Sequence, residues 1–348
     1  MTHVLKLPDR IESEVELEDV MSRPSGGLVR SMAELEGDLL VLGAGGKIGF
    51  TLATMADRAA REAGTSTRVI AVSRFTDRRQ EEKLAEAGID TISCDLLDRE
   101  ALERLPSAGN VVYMAGRKFG STGGEALTWT MNAFLPGLVA ERFPASRIVV
   151  FSTGNVYPFV PVDSGGATER TPPAPVGEYA QSCLGRERVF EYFSEKNGTP
   201  VALARLNYAI DLRYGVLLDL AQAVWERAPI DLRMSHVNVI WQGDACDMIL
   251  RSFDICESPV RVLNITGPEP ISVRAAAHWF GEIFGRRPVF EYEEEGTALL
   301  ASSAEACRLF GFPTVSLERM ISWVAHWVEI GGPTLDKLTH FAERRGRF

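Results

Sequence analysis

A glycine-rich turn between an apolar run and a helical stretch is the part of this sequence that most clearly implies chemistry. Asp38-Leu39-Leu40-Val41-Leu42 leads into Gly43-Ala44-Gly45-Gly46-Lys47-Ile48-Gly49. The turn glycines allow tight curvature and the close approach of a ligand, and Gly49 allows the following helix to pack against the strand. A helix N-terminus offers backbone N–H groups and positive partial charge, which suit a diphosphate. We therefore predict a dinucleotide site here, with a glycine-rich turn of an ordinary α/β protein as the alternative.

The elements that must position this turn are apolar, strand-like runs separated by amphipathic helical stretches. They lie at residues 38–43, 68–73, 91–94, 110–115, 147–152 and 200–205. Such alternation predicts an α/β fold with a doubly wound, parallel sheet of the Rossmann type. Helices cover both faces of such a sheet, which explains why the strands are almost entirely apolar. Ligands then bind at the carboxyl ends of the strands.

The predicted organisation has three parts. They are an N-terminal helical extension at 1–37, an NAD(P)-binding Rossmann domain at 38–207 to which 236–265 returns, and a smaller C-terminal α/β substrate lobe at 208–235 and 266–348. The C-terminus is basic and aromatic. We expect residues 339–348 to form a solvated tail, with a lid or a partner contact as the alternative.

Composition and charge favour a partner that is a small molecule. The 348 residues include 37 Lys and Arg and 47 Asp and Glu, which gives a formal net charge of −10. No basic run of nucleic-acid-binding size occurs, so nucleic acid is not an expected partner. The five cysteines lack metal-type or redox-type spacing, and residues 1–18 do not resemble a signal peptide. We therefore expect a cytoplasmic protein with no metal site and no membrane contact, since no apolar run approaches the length of a membrane span.

Further motifs follow the glycine turn in a fixed order. They are Gly43-x-x-Gly46-x-x-Gly49, Asp95-Leu96, Ala115-Gly116, Asn132, Ser152-Thr153-Gly154-Asn155-Val156-Tyr157 and Tyr179. Their order and separation resemble the NAD(P)-dependent epimerase/dehydratase family of the extended short-chain dehydrogenase/reductase superfamily, over roughly residues 38–330. The resemblance implies an oxidoreductase or epimerase that moves a hydride between the nicotinamide and a sugar-like or sugar-acid hydroxyl or ketone. It also implies a homodimer.

The resemblance assigns a role to each matching residue. It implies that the cofactor is bound by Gly43, Gly45, Gly46, Lys47, Ile48, Gly49, Ser73, Arg74, Asp95, Leu96, Ala115, Gly116 and Asn132. Thr153 and Tyr179 face the nicotinamide, with Tyr179 as the acid or base and Thr153 orienting the same oxygen. Hydride transfer at a carbon that bears oxygen requires a proton to move on that oxygen. A phenol near the nicotinamide does this only if its pKa is lowered from about 10.

The end of the second predicted strand bears on the choice of cofactor. Ser73 and Arg74 stand where an NAD-specific site usually has an acid for the ribose hydroxyls, and an arginine can pair with a 2′-phosphate. NADP is therefore the favoured cofactor. Asp77, three residues after Arg74, keeps NAD as the alternative.

The sequence departs from the family pattern at the position after the tyrosine. The family has a lysine four residues beyond it, and here that position is Cys183. A thiol is short, hydrogen-bonds weakly and is mostly neutral at pH 7, so it does not favour the phenolate as a cation does. Three alternatives stay open: Arg186 reaches back along the helix, Arg117 or Lys118 presents a cation from the other side of the pocket, or the protein binds the cofactor and does chemistry that does not need the phenolate. A nucleophilic Cys183 is a fourth.

The missing lysine also supports a function of a different class, a catalytically silent NAD(P)-binding sensor or regulator of the same fold. For an enzyme, the residues expected to reach the substrate from neighbouring loops are Arg117, Lys118, Asn155, Tyr157, Asn207, Tyr208, Arg213 and His236. The basic ones suit an anionic group such as a carboxylate or a phosphate. His236 lacks a second ligand at metal-type spacing, so we expect it to donate or accept a hydrogen bond.

Overall fold

The computed structural model describes residues 7–118 and 120–347. The strands in this part of the chain are β1 (Leu39–Leu42), β2 (Val69–Ser73), β3 (Asp90–Ser93), β4 (Asn110–Tyr113), β5 (Arg147–Thr153), β6 (Val160–Pro161), β7 (Val201–Leu206), β8 (Ala209–Ile210), β9 (Pro229–Asp231), β10 (His236–Val237), β11 (Ile240–Trp241), β12 (Arg261–Ile265), β13 (Ile271–Ser272), β14 (Val289–Glu291) and β15 (Thr297–Ala298). Seven of them form one parallel sheet in the order β12, β7, β5, β4, β1, β2, β3. This confirms the predicted α/β fold and the six predicted strands, and β12 extends the sheet beyond β7.

Helices cover both faces of this sheet and make up most of the C-terminal lobe. They are α1 (Glu14–Met21), α2 (Gly26–Ala33), α3 (Gly49–Ala63), α4 (Arg78–Glu86), α5 (Arg99–Glu103), α6 (Glu125–Trp129), α7 (Leu135–Arg142), α8 (Gly177–Asn197), α9 (Val216–Glu226), α10 (Gln242–Arg251), α11 (Val273–Phe284), α12 (Ala304–Phe310) and α13 (Leu317–Glu329). A π-helical turn, Thr130–Phe134, joins α6 to α7. None of these helices has the length and apolarity to cross a bilayer.

The strand order reverses at β1, which lies between β2 and β4. The connection after β1 leads to β2 on one side, and the connection after β3 returns to β4 on the other. In an open parallel sheet, such a switch point leaves a crevice at the carboxyl ends of the strands, where ligands bind. The glycine turn after β1 and the loops after β2 and β4 therefore meet around one crevice.

Two apolar layers and a third, separate core hold the molecule together. β1 shows the sheet layers best, since Leu39 and Val41 pack on one face while Leu40 and Leu42 pack on the other, and all four are fully buried. The third core joins α9, α11 and α13 with part of α1 and belongs to the C-terminal lobe. The site described below lies between the sheet and this lobe.

The C-terminal residues 333–347, here called the C-terminal strap, pack against the folded protein. The backbone N–H of Thr339 donates to the carboxylate of Asp219 at 3.0 Å, and the Thr339 side chain is buried. Phe341 is 9% exposed and packs into the core of the C-terminal lobe. The prediction of a solvated tail at 339–348 is therefore wrong for the residues that the structure describes. The partners of the strap lie far away along the chain, so no local pattern indicates them.

Candidate cofactor and active site

The glycine turn is tightly packed against the neighbouring loop and against its own backbone. Gly43 has a φ of +95°, and a Cβ placed on it would lie 2.6 Å from the backbone nitrogen of Ala115. A Cβ on Gly49 would lie 1.9 Å from the carbonyl oxygen of Ala44. Glycine is required at both positions because backbone atoms cannot move aside. Helix α3 begins at Gly49, so its N-terminus follows directly on the turn.

A first cavity of about 240 Å³ opens beside the turn, at the carboxyl ends of β1, β2 and β4. Most of the predicted cofactor residues line it, and they come from four separate loops, those after β1, β2, β3 and β4. They are Gly43, Gly45, Gly46, Ser73, Arg74, Asp95, Leu96, Ala115 and Gly116. The structure therefore brings together residues that the sequence spreads over more than seventy positions, and it does so at the predicted edge of the sheet.

Arg74 and Asp77 have different positions relative to the first cavity. Arg74 is exposed and lines the cavity. Asp77 caps helix α4, where its carboxylate accepts the backbone N–H of Arg79 at 3.1 Å and pairs with the Arg79 guanidinium at 2.9 Å. This pairing holds the pKa of Asp77 below its usual range. The end of β2 therefore presents a cation to the cavity, while the nearby acid already has a partner.

A second cavity of about 310 Å³ shares Gly46, Met114 and Gly116 with the first, so the two form one continuous crevice. The predicted residues that line it are Lys47, Ile48, Arg117, Lys118, Thr153, Asn155, Tyr179, Arg186, Asn207 and Tyr208. The sequence interpretation missed Tyr214, Gln242 and Thr339, which also line it. Gln242 is the first residue of α10, and Thr339 belongs to the strap, whose sequence gave no signal.

The hydroxyl group of Tyr179 makes hydrogen-bond contacts with the side chains of Thr153 and Cys183. The Oγ1 of Thr153 accepts two hydrogen bonds from Asn155, from the backbone nitrogen at 3.2 Å and from Nδ2 at 3.0 Å. A hydroxyl has two lone pairs and one proton, so Thr153 is left to donate its proton toward Tyr179. Asn155 thus orients Thr153, and Thr153 orients the phenol.

Burial raises the pKa of Tyr179 well above its ordinary value, and Cys183 raises it further. The charge of Arg186 and the hydrogen bond from Thr153 act in the opposite direction. Burial raises the pKa of the Cys183 thiol as well. Tyr179 is therefore protonated at neutral pH and is set up to give a proton to a substrate oxygen. To accept one, it needs a cation that the cysteine position does not supply.

Arg186 is buried behind the loop that follows β4. Its guanidinium donates to the carbonyl oxygen of Phe151 at 2.7 Å and to Oδ1 of Asn132 at 2.8 Å. Asn132 accepts the backbone N–H of Arg117 and donates to its carbonyl oxygen, each at 2.8 Å. A Cβ on Gly116 would lie 2.4 Å from Nη2 of Arg186. Asn132 therefore supports this loop and does not line either cavity. Arg186 influences Tyr179 through its charge.

Lys118 approaches Tyr179 from the other side of the second cavity. Its Nζ lies 5.9 Å from the centre of the Tyr179 ring and donates to the carbonyl oxygen of Thr339 at 3.5 Å. Burial lowers the pKa of Lys118 to about 8, which leaves it mostly protonated at pH 7. Two of the alternatives for the missing lysine therefore have a cation near Tyr179: Arg186, whose charge lowers the Tyr179 pKa, and Lys118, which lies over the face of the ring.

Tyr157, Arg213 and His236 are not part of the lining of either cavity, contrary to the sequence prediction. The hydroxyl of Tyr157 is buried and donates to Oδ1 of Asn264 at 2.8 Å. Arg213 forms an ion pair with Asp211 at 2.9 Å, and two N-terminal glutamates also pair with it. His236 lies in the short ribbon of β10 and β13. Tyr157 and Arg213 therefore have structural partners away from the cavities, and His236 is held in the ribbon by its backbone.

Comparison with known proteins supports the same family. A sequence model of the NAD dependent epimerase/dehydratase family matches residues 39–209, a stretch that contains the glycine turn, Thr153 and Tyr179. This match confirms the resemblance seen in the sequence. No curated protein matches the chain significantly. No cluster of three or more His, Cys, Asp or Glu side chains that could hold a metal ion occurs in residues 7–118 and 120–347.

Several solved structures share the fold. MoeE5 in complex with UDP-glucose and NAD has 21% identity and a TM-score of 0.66, with 85% of this chain and 99% of that chain aligned. UDP-glucose 4-epimerase from Thermotoga maritima has 18% identity and a TM-score of 0.68 over 84% and 99%. DesIV, a dTDP-glucose 4,6-dehydratase from Streptomyces venezuelae, has 20% identity and a TM-score of 0.68 over 84% and 97%. At these identities the likeness shows a common fold.

Proposed function

We propose, because a sequence model of the NAD dependent epimerase/dehydratase family matches residues 39–209, that the chain is an NAD(P)-dependent oxidoreductase or epimerase acting on a sugar-like or sugar-acid hydroxyl or ketone. The observation that carries the proposal is the contact between the Tyr179 hydroxyl and Thr153 in the second cavity, directly beside the glycine turn. Similar folds have been solved with NAD together with UDP-glucose or UDP-glucuronic acid, which supports a sugar-like substrate.

The residues present fit a nicotinamide dinucleotide. The glycine turn suits the diphosphate, because Gly46 opens into both cavities and α3 starts at Gly49. The residues of the first cavity that follow β2 and β3 suit the adenosine end, with Arg74 at its edge. The second cavity suits the nicotinamide end and the substrate. When bound there, the nicotinamide ring accepts or supplies a hydride.

The proton that accompanies the hydride moves through Tyr179. In reduction, the phenol of Tyr179 gives its proton to the forming substrate alkoxide, and in oxidation the phenolate form of Tyr179 takes the proton from the substrate hydroxyl. Thr153 holds the phenol oxygen and the substrate oxygen in one hydrogen-bond network. Arg186 and Lys118 are the cations near the phenol that favour the phenolate, and each unit by which they lower the pKa of Tyr179 corresponds to about 1.4 kcal/mol.

Binding and turnover test the proposal separately. Titration of the purified protein with NADPH and NADH, followed by fluorescence, should give saturable binding. A screen of sugar-like hydroxyl compounds should then show reduction of NADP or NAD that requires both the protein and the substrate. A protein that binds neither cofactor would contradict the proposal at its first step.

Arg74 is expected to set the preference for NADP. The change Arg74→Ala should weaken NADPH binding by about ten- to hundred-fold, the value of a charge-assisted hydrogen bond, and should leave NADH binding nearly unchanged. The matched control is Arg79→Ala, since Arg79 is an exposed arginine of the same region that is paired with Asp77. Equal losses for the two cofactors would mean that Arg74 does not contact the 2′-phosphate.

Restoring the family's lysine tests the role of Lys118. If Lys118 already supplies the cation, Cys183→Lys should leave kcat unchanged or lower it, because a second ammonium group enters a fully buried position. Cys183→Ser tests whether Cys183 is a nucleophile. We expect that it is not, so kcat of this variant should stay within a few-fold of the value for the natural chain. A large gain in kcat with Cys183→Lys would show that no cation acts on Tyr179 in the natural protein.

A second candidate function is the catalytically silent sensor. The raised pKa of Tyr179 and the cysteine at the lysine position favour it. A sensor binds NADPH or NADH but gives no turnover with any hydroxyl compound, and its binding is indifferent to Tyr179→Phe. The cation at Lys118 is the observation that ranks the enzyme first.

The homodimer remains a proposal, supported by exposed apolar side chains on and near α6 and α8. Trp129 is 38% exposed, Phe134 is 53% exposed and Tyr192 is 58% exposed. By contrast, Leu138 and Phe190 are buried in the core of the sheet layer. The exposed group is therefore the part of this face that suits a second copy of the chain.

A further inference from the structure

The second cavity has a strong excess of positive charge. Among the described residues that line it, four carry cationic side chains, Lys47, Arg117, Lys118 and Arg186, and none carries a carboxylate. The chain as a whole has a formal net charge of −10, so the charge of the cavity lining is opposite in sign to the net charge of the protein. Clefts lined by one sign of charge concentrate ligands of the opposite sign.

Lys47 belongs to the glycine turn, but its side chain is directed to the substrate side. Its Nζ lies 3.1 Å from the centre of the Tyr214 ring. Lys47 lines the second cavity, whereas the first cavity is lined by Gly43, Gly45 and Gly46 of the same turn. To hold the diphosphate, the Lys47 side chain would have to extend into the first cavity, which those glycines line. Its ammonium group is instead next to the loop that leads into α9.

Lys47 and Lys118 line the same cavity, and the charge of Lys118 acts on the Lys47 ammonium group. Burial lowers the pKa of Lys47 to about 7, and the charges of Lys118 and Lys337 lower it further. Asp211 and Asp219 act in the opposite direction, but Asp211 is paired with Arg213 and Asp219 accepts from Thr339. Two repelling ammonium groups in a half-buried cavity are stabilised by an anion between them.

The C-terminal strap limits the size of the molecule that can enter. Thr339 lines the second cavity, and its carbonyl oxygen accepts from Lys118. Farther along, Gly346 packs against Gly177 so closely that a Cβ on Gly177 would lie 2.5 Å from the Gly346 carbonyl oxygen. The strap thus runs from the cavity to the first turn of α8, which carries Tyr179. The cavity of about 310 Å³ is at the lower end of the ~300–1,000 Å³ typical of small-molecule sites, and part of it must take the nicotinamide.

We propose that Lys47 and Lys118 bind the anionic group of a small substrate, a free sugar acid or sugar phosphate, and that the C-terminal strap excludes nucleotide sugars. The inference rests on the function proposed above and names the substrate class for that site. In oxidation, the substrate C–H bond breaks and its electron pair goes to the nicotinamide. The hydroxyl proton goes to the phenolate oxygen of Tyr179, and the carbon–oxygen double bond forms.

Calorimetry on the NADP-saturated protein tests this substrate class without requiring turnover. The probes are glucuronate, glucose 6-phosphate, glucose and UDP-glucuronic acid. We expect binding of glucuronate or glucose 6-phosphate, and whichever binds identifies the anion as carboxylate or phosphate. Glucose should bind about ten- to hundred-fold more weakly, because it lacks the charge-assisted hydrogen bonds. UDP-glucuronic acid should not bind to the intact chain.

Lysine variants test which residues carry the anion. Lys47→Met should weaken binding of the anionic probe by about ten- to hundred-fold while NADPH affinity and glucose binding stay the same, and Lys47→Arg should restore most of the affinity. Lys118→Met should lower kcat as well as raise KM, since Lys118 also acts on Tyr179. Lys196→Met, at the distant end of α8, is the matched control for loss of one positive charge.

The outcomes separate this inference from the proposed function. Tighter binding of glucose than of both anions, or an equal loss of NADPH affinity in Lys47→Met, would overturn the inference while leaving the oxidoreductase in place. Tight binding of UDP-glucuronic acid to the intact chain would overturn the role of the strap. Failure to bind NADPH or NADP would remove the proposed function itself.

Discussion

Replacing Tyr179 with phenylalanine is expected to lower kcat by about a hundred- to ten-thousand-fold, the usual contribution of a positioned general acid or base. The phenol is the group that Thr153 orients within the second cavity, and Phe keeps the ring while removing the proton that must move. KM and NADPH affinity should change little, because the loss lies in the transition state. Steady-state kinetics with the substrate found in the screen, together with NADPH titration, measure both quantities.

Tyr192→Phe is the matched control for this variant. Tyr192 lies on the same helix α8 but is 58% exposed, so its loss should leave kcat and stability nearly unchanged. Activity that survives Tyr179→Phe would take the proton transfer away from Tyr179. The sensor would then become the better account if cofactor binding persisted without turnover.

The second large effect is on stability and concerns the buried ion pair of Glu187 with Arg205. Arg205 donates to Glu187 from Nε at 2.9 Å and from Nη2 at 2.6 Å, and Ser152 donates to the same carboxylate. Both side chains are nearly inaccessible to water. Arg205→Met leaves the carboxylate buried without its partner, so we expect the free energy of unfolding to fall by about 3–5 kcal/mol.

Urea unfolding measures that change, and a second ion pair of the same helix provides the control. Arg188 pairs with Glu191 on the surface, with side chains 60% and 35% exposed, and Arg188→Met should cost about 0–1 kcal/mol. The double variant Glu187→Gln with Arg205→Met should cost less than Arg205→Met alone, because no unpaired charge remains. Equal costs for Arg205→Met and Arg188→Met would contradict the account of the buried pair.

The sheet was predictable because its information is local. The strands are short apolar runs, and the glycines after β1 are required by contacts within a few residues or with the next loop, as at Gly49 and Ala44. The same holds for Thr153 and Tyr179, which the resemblance identified at the end of β5 and the start of α8. The structure brings them into hydrogen-bond contact.

The remaining features depend on contacts between distant parts of the chain. Arg213 appeared suited to an anionic substrate, but Asp211 and the N-terminal Glu14 and Glu18 pair with it. The strap has no helical or strand pattern, and its packing depends on partners such as Asp219 that precede it by more than a hundred residues. A single sequence does not contain the geometry that brings such residues together.

The central claim is that the crevice holds a nicotinamide dinucleotide with its ring beside the Tyr179 hydroxyl. A crystal structure of the protein with bound NADP tests it most directly. We predict the diphosphate over the glycine turn from Gly45 to Ile48, the 2′-phosphate at Arg74, and the nicotinamide in the second cavity next to Thr153 and Tyr179. A cofactor bound elsewhere, or a Tyr179 hydroxyl directed away from the nicotinamide, would contradict the account.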